Sequence, residues 1–294
     1  MECEMSQLKL GLPKGSLEVA TINLFEKAGW LIKPAARNYF PKIDDPELDC
    51  SICRPQEMSR YVESGMLDAG ITGKDWTMEN QSEIVVVSDL VYSKVSNRPT
   101  RWVVAVAGDS DIKTLEDLEG KKISTELVGV SERFFKDLGI NVEIEFSWGA
   151  TEAKVVAGLV DAVVEVTETE NTIRAHGLRI IYELMESNTQ FIANKEAWEN
   201  PWKREKIENM CLLLQGALKA DRIVGLKMNV AAEQLDEIVA MLPSVNAPTV
   251  AGLSDAEWFS VETVISKDIV RDLVPRLHKV GAEGIIEYAL NKVI

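Results

Sequence analysis

The stretch Asp161–Arg174 carries the densest set of chemically useful side chains in the chain. An apolar run reading as a buried strand delivers Glu165 near its end. A loop rich in hydroxyl and acidic groups follows, through Thr167, Glu168, Thr169, Glu170, Asn171 and Thr172, and then a helix begins. A helix start offers unpaired N–H groups and about half a positive charge, which suits a phosphate. Threonine hydroxyls add donors, and a carboxylate one strand step earlier suits sugar hydroxyls. A helix start capped by Thr169 or Asn171, with no ligand, fits the same residues.

Such a loop needs a sheet behind it. Leu8–Leu12 reads as a strand, Pro13–Ser16 as a turn and Leu17–Ala28 as a helix stopped by Gly29. A helix over Glu57–Glu63 leads into a strand from Asp68 to Thr72. A second block opens near Arg98, where Trp102–Ala107 has the continuous apolar character of a strand buried on both faces. There Lys122–Thr125, Val142–Phe146 and Asp161–Val166 read as strands, and Ser131–Leu138 and Glu152–Leu159 as helices. This alternation predicts parallel sheet. A G-x-x-D-A pattern occurs twice, at Gly65–Ala69 and Gly158–Ala162. It fits plain helix-stop chemistry and equally two similar lobes facing a cleft. Arg179–Ala193 reads as a return to the first block and Trp198–Ala220 as one long helix. From residue 221 the order βαββαβ is that of a ferredoxin-like module, regulatory or purely structural.

The 294 residues are a soft prior for two or three domains. A net charge of −15 argues against nucleic-acid binding, which needs a basic face. No apolar run approaches the roughly 20 residues that span a bilayer. The acidic start at Met1–Glu4 lacks a signal peptide's layout, so the expected compartment is the cytoplasm. Cys50 and Cys53 form a lone C-x-x-C with no second pair, on a segment that reads as a strand, and are expected to be core residues.

The Asp161–Arg174 stretch resembles the phosphoribosyl-pyrophosphate loop of ATP phosphoribosyltransferases. Flanking pieces match that family in order: Leu12–Ser16, Gly70–Asp75, Thr125–Glu126, Gly149–Glu152 and Arg174–Leu178. The tail resembles the family's long form at Gly225–Asn229, Met241–Pro243, Ala247–Thr249 and Gly281–Ile285. The resemblance implies an α/β fold: a two-lobed, periplasmic-binding-protein-like catalytic core with a C-terminal ferredoxin-like, ACT-like regulatory domain. Lobe I would be 1–97 with 180–220, lobe II 98–179, and the regulatory domain 221–294. It further implies transfer of a phosphoribosyl group to N1 of ATP with release of pyrophosphate, Mg²⁺ as cofactor, a homo-hexamer, feedback inhibition by histidine, and no nucleic-acid or membrane partner.

By the same resemblance Lys14, Arg54, Glu126 and Glu152 are catalytic candidates. Asp161, Glu165, Thr167, Glu168, Thr169, Glu170, Asn171 and Thr172 are substrate-binding candidates. Thr249, Leu253, Ser254, Trp258 and Val261 would line the histidine site. Ser16 stands where many members have arginine, and Glu170 stands where the family has a loop glycine. A glutamate there adds a like charge near phosphate and strains any left-handed backbone. It is therefore expected to weaken phosphoribosyl pyrophosphate binding, by about a few-fold to a few hundred-fold, so that Glu170→Gly would lower that KM. Two other classes fit parts of the pattern: a small-ligand-binding protein of the same two-lobed fold, and a regulatory subunit that has lost catalysis.

Overall fold

The structure, a computed structural model, describes residues 6–33, 39–92, 98–243 and 247–294; the acidic start at Met1–Glu4 lies outside them. The chain divides into two compact units, residues up to 23 with 30–211, and 24–29 with 212–294.

The first unit opens with β1 (Leu8–Pro13), in which every residue but Lys9 is buried. There follow α1 (Glu18–Ala28), β2 (Ile32–Lys33), β3 (Lys42–Ile43), β4 (Leu48–Cys53), α2 (Pro55–Glu63), β5 (Ala69–Gly73), α3 (Lys74–Asn80) and β6 (Val85–Leu90). Arg54 is extended (φ −68°, ψ 139°) and Pro55 opens α2, where its missing N–H costs nothing. Gly11 and Gly70 are register partners on β1 and β5. A Cβ on either would collide with the Met58 sulfur, so the two glycines let α2 lie close on the sheet.

The chain then builds a second sheet from β7 (Thr100–Ala107), β8 (Lys122–Thr125), β9 (Glu143–Phe146), β10 (Ala162–Thr167) and β11 (Leu178–Ser187). It is packed with α4 (Val128–Asp137), α5 (Thr151–Val156) and α6 (Asn171–Ala175). Trp102 to Val106 are at most 2% exposed, as the continuous apolar run required. After β11 the chain returns to the first sheet as β12 (Thr189–Ala193), followed by α7 (Lys195–Glu199) and α8 (Pro201–Ala220). The sheet orders are β4-β1-β5-β12-β6 and β11-β7-β10-β8-β9.

Three expectations need correction. The sheets are mixed: β12 runs antiparallel to β5 and β6, and β7 antiparallel to β10 and β11, so in each sheet the strand by which the chain enters from the other lobe runs against the other four. The return to the first sheet comes at Asn188, not at 180. β11 pairs with β7 along its whole length, and two bulges in that ladder blur its alternation. The long helix is broken at Asn200, which is extended (ψ 118°) before Pro201, as a residue preceding proline prefers.

The repeated G-x-x-D-A has one architecture in both lobes. Gly65 and Gly158 take positive φ after α2 and α5. Asp68 N donates to Lys9 O and accepts Lys9 N on its carboxylate, both at 2.9 Å; Asp161 makes the same pair with Lys122, again at 2.9 Å. Each aspartate thus pins the entry of one strand to its neighbour.

The second unit contains β13 (Ile223–Ala231), α9 (Leu235–Met241), β14 (Thr249–Gly252), β15 (Trp258–Ser266), α10 (Lys267–Val280) and β16 (Glu283–Ala289). The antiparallel order β14-β15-β13-β16 is that of a ferredoxin-like βαββαβ sheet. Its core joins Leu226, Met228 and Val261 of the sheet to Ile238, Leu273 and Leu277 of the helices. Ser266 caps α10, and Gly281 ends it at φ 115°.

Candidate active site

The register of the strands decides which side chains meet. β1 and β4 end together, Pro13 opposite Cys53, so Lys14 and Arg54 leave the first sheet side by side; Lys14 N donates to Cys53 O at 2.8 Å. In the second sheet Val164 lies opposite Thr125 and Thr125 opposite Phe146. Glu165, Glu126 and Ser147 therefore emerge at one edge. That edge is the carboxyl end of the parallel strands, where open α/β sheets bind ligands. A cavity of about 540 Å³ is lined by Arg54, Arg60 and Trp76 of the first lobe and Glu126, Phe146 and Trp148 of the second. The Arg54 guanidinium lies 4.9 Å from the Trp148 ring centre. Trp148 and Phe146 are 58% and 57% exposed, a large apolar surface left facing a cavity.

Acidic groups crowd the second-lobe edge. Glu165 is pushed up to about 7, first by burial and then by the charges of Glu152 and Glu126. Val166 N donates to its carboxylate at 3.2 Å. Glu152 is buried at the start of α5, after a turn in which Gly149 and Ala150 both take positive φ.

The loop after β10 forms one compact turn. Thr167 is buried, and its Oγ1 accepts Glu170 N at 2.8 Å, so its O–H remains free to donate. Thr169, Asn171 and Thr172 are exposed, and Glu168 is half-buried. Glu170 stands before α6 at φ 61°. Its carboxylate pairs with Arg101 at 2.6 Å and with Arg174, four residues on, at 2.8 Å. The Arg174 contact follows helical spacing. Arg101 is brought there by β7, opposite Thr167 in the ladder, and no local pattern pointed to it.

The two lobes are joined beside the cavity. Glu79 at the end of α3 accepts Gly129 N and Val130 N, both at 2.8 Å, and so caps α4 from the facing lobe. Arg133 donates to Met78 O at 2.7 Å. Buried Asp75 accepts Trp102 Nε1 at 2.8 Å, and burial pushes its carboxyl up. Sequence reading missed Glu79 and Trp148, and in the Gly70–Asp75 piece it missed the role of Asp75, because each acts through a partner far along the chain.

Two sequence-predicted residues lie elsewhere. Asp161 enters β10 at the end opposite the loop, where its carboxylate holds Lys122 N. Val261 is fully buried in the core of the second unit and presents no side chain to a ligand; its alternation in β15 places it opposite Met228, on the helix-covered face. Thr249, Leu253 and Ser254 are exposed along and after the edge strand β14, and Leu253 N donates to Trp258 O at 2.9 Å. Cys50 and Cys53 are unpaired thiols on β4, both pushed up to about 12 chiefly by burial, and so are not thiolates near neutral pH.

Comparison with known proteins places these residues in a family context. The profile described as ATP phosphoribosyltransferase matches residues 54–216, and that of the HisG C-terminal domain matches residues 220–292. The ATP phosphoribosyltransferase of Solidesulfovibrio magneticus is 66% identical over 98% of this chain and 99% of its own. That of Desulfatibacillum aliphaticivorans is 64% identical over 98% of each. Among solved structures, the ATP phosphoribosyl transferase (HisG:HisZ) complex from Thermotoga maritima has a chain that aligns at TM-score 0.63. It is 25% identical and covers 72% of this chain and 99% of that one. Tv2483 bound to L-arginine aligns at TM-score 0.51 and 12% identity, over 74% of this chain and 87% of that one, a likeness of fold alone.

Proposed function

We propose the following working site on the premise that this chain belongs to the ATP phosphoribosyltransferase family. The chain transfers the phosphoribosyl group of phosphoribosyl pyrophosphate to N1 of ATP, giving phosphoribosyl-ATP and pyrophosphate, the first step of histidine biosynthesis. Adenine N1 carries a lone pair at neutral pH, so attack on C1 of the ribose needs no base. Catalysis then rests on placing the reactants and stabilising charge.

In our reading the turn Thr167–Thr172 holds the 5′-phosphate through backbone N–H groups and the hydroxyls of Thr167, Thr169 and Thr172. Glu165 meets the ribose hydroxyls. Lys14 and Arg54 face the phosphates from the first lobe, and adenine stacks on Trp148 beside Phe146. Asp161 has no place in this site. Burial first, and then the charges of Glu152 and Glu126, push Glu165 up to about 7, and a cation beside those two carboxylates would relieve the part that their charges contribute. Glu126 and Glu152 would hold Mg²⁺ together with substrate phosphates. When bound, Mg²⁺ stabilises negative charge on the departing pyrophosphate.

The supporting observation is the closeness of Glu126, Glu152 and Glu165 at the edge of the second sheet from which the loop departs, with Arg54 of the first lobe lining the same cavity as Glu126. The test is incubation with ATP and phosphoribosyl pyrophosphate, following the ultraviolet absorbance of phosphoribosyl-ATP. Turnover is expected only with a divalent metal. Metal-independent turnover, or none with any metal, would refute the mechanism.

The catalytic part in this reading comprises lobe I (1–97 with 188–220) and lobe II (98–187), and 221–294 regulates it. Histidine binds the tail beside Thr249, Leu253, Ser254 and Trp258, where copies of the tail meet in a homo-hexamer. No helix among the described residues is long and apolar enough to cross a membrane, and the cytoplasm is the proposed compartment.

A further inference from the structure

We propose that Glu170 is a positioning residue for the phosphate loop, holding the loop's left-handed turn in place through ion pairs to Arg101 and Arg174. The inference rests on the reading of Thr167–Thr172 as that loop. Glu170 is one of three described residues other than glycine with positive φ, with Gln81 and Ala150. A side chain in that conformation is strained, and glutamate lacks the short polar group that lets asparagine or aspartate tolerate it. The surroundings account for its persistence. Glu170 N donates to Thr167 Oγ1 at 2.8 Å, and Glu170 O accepts Arg174 N at 2.9 Å. One carboxylate oxygen takes Arg101 Nη2 at 2.6 Å and the other takes Arg174 Nη2 at 2.8 Å. Arg101 is itself fixed, because its Nη1 donates to Glu183 of β11 at 3.0 Å and its backbone is paired with Thr167.

Both carboxylate oxygens thus face guanidinium groups, so the negative charge is answered locally and is not left facing an incoming phosphate. Arg101 and then Arg174 hold the carboxyl below the usual glutamate range, in keeping with this geometry. Two ion pairs, one to the sheet and one to the following helix, do what a glycine does by lacking a side chain. This reverses the expectation from sequence: the carboxylate holds the loop for phosphate and does not repel it.

The test compares KM for phosphoribosyl pyrophosphate among variants, with direct calorimetric titration of phosphoribosyl pyrophosphate in the absence of ATP. Glu170→Gln keeps the strained backbone and loses both ion pairs, so its KM should rise about three- to ten-fold, with kcat and the KM for ATP changing less than about two-fold. Glu170→Gly relieves the strain and should suffer less than Glu170→Gln. Arg101→Ala should resemble Glu170→Gln, and the double variant should be no worse than the worse single one. Thermal melts confirm that each variant is folded. A Glu170→Gln KM at or below wild type, a Glu170→Gly KM as high as that of Glu170→Gln, or additive effects of the Arg101 and Glu170 changes would overturn the proposal. A wild-type protein that neither turns over nor binds phosphoribosyl pyrophosphate would instead refute the function it rests on.

Discussion

Glu165 and Trp148 answer to different parts of the site, and each can be tested alone. Glu165 titrates near 7 in the fold, against an ordinary value of 4.5. Below the ordinary value it is protonated whether the chain is folded or not. Between the two values the folded chain binds the proton more tightly, so stability falls as pH rises, and above 7 the loss is constant. Glu165→Gln removes that loss. Its melting temperature, measured without metal, should exceed wild type by a few degrees at about pH 8 and match it at about pH 4. Equal gains at both values would mean that the fold, through burial and then the charges of Glu152 and Glu126, does not raise the Glu165 carboxyl. The same change should raise the KM for phosphoribosyl pyrophosphate. For Trp148, stacking of a base on an aromatic ring is worth about 1–3 kcal/mol. Trp148→Ala should therefore raise the KM for ATP about ten-fold, with Trp148→Phe recovering most of it. If the alanine variant raised only the KM for phosphoribosyl pyrophosphate, adenine would not lie there.

Among the elements, α3 and α4 are bound end to end across the two lobes. Glu79 supplies acceptors to two N–H groups that the first turn of α4 cannot pair itself, and Arg133 returns a donor to the last carbonyls of α3. Loss of a helix cap costs about 1 kcal/mol. Glu79→Ala should accordingly lower the melting temperature by about 2–4 °C. Because the cap spans the cavity edge, both KM values should rise together. A fall in stability with unchanged KM values would show that the contact supports α4 alone.

At the scale of the whole molecule, the tail is a complete ferredoxin-like sheet with its own core, and its edge strand β14 is exposed along its full length. An uncovered edge strand invites pairing with another chain, which agrees with assembly through the tail. Light scattering at micromolar concentration should report a multimer, of hexamer mass if the proposal holds; a monomer would contradict it. Histidine should inhibit the full chain, and a chain ending at residue 220 should turn over without inhibition. A truncated chain still inhibited by histidine would place the effector site outside the tail.

The sequence by itself determined the elements whose patterns are local. Trp102–Val106 had to be a buried strand because it is apolar at every position, and Trp258–Ser266 and Lys122–Thr125 appear where alternation and turn residues put them. The loop Thr167–Thr172 was legible for the same reason: its hydroxyls, its strand and its helix start are contiguous. The glycines Gly65 and Gly158 marked helix ends, where positive φ stops the chain, but left open whether their shared pattern meant two lobes. The tertiary structure alone decided what depends on pairing. The bulged ladder of β11 with β7 kept residues 178–187 in the second sheet, and strand direction sent Asp161 to the far edge while Glu165 stayed at the site. Arg101 reaches Glu170 across 69 residues, and Glu79 reaches α4 across about 50. Such contacts leave no periodic trace in the chain, because the free energy that selects them comes from packing two sheets together and not from any one segment.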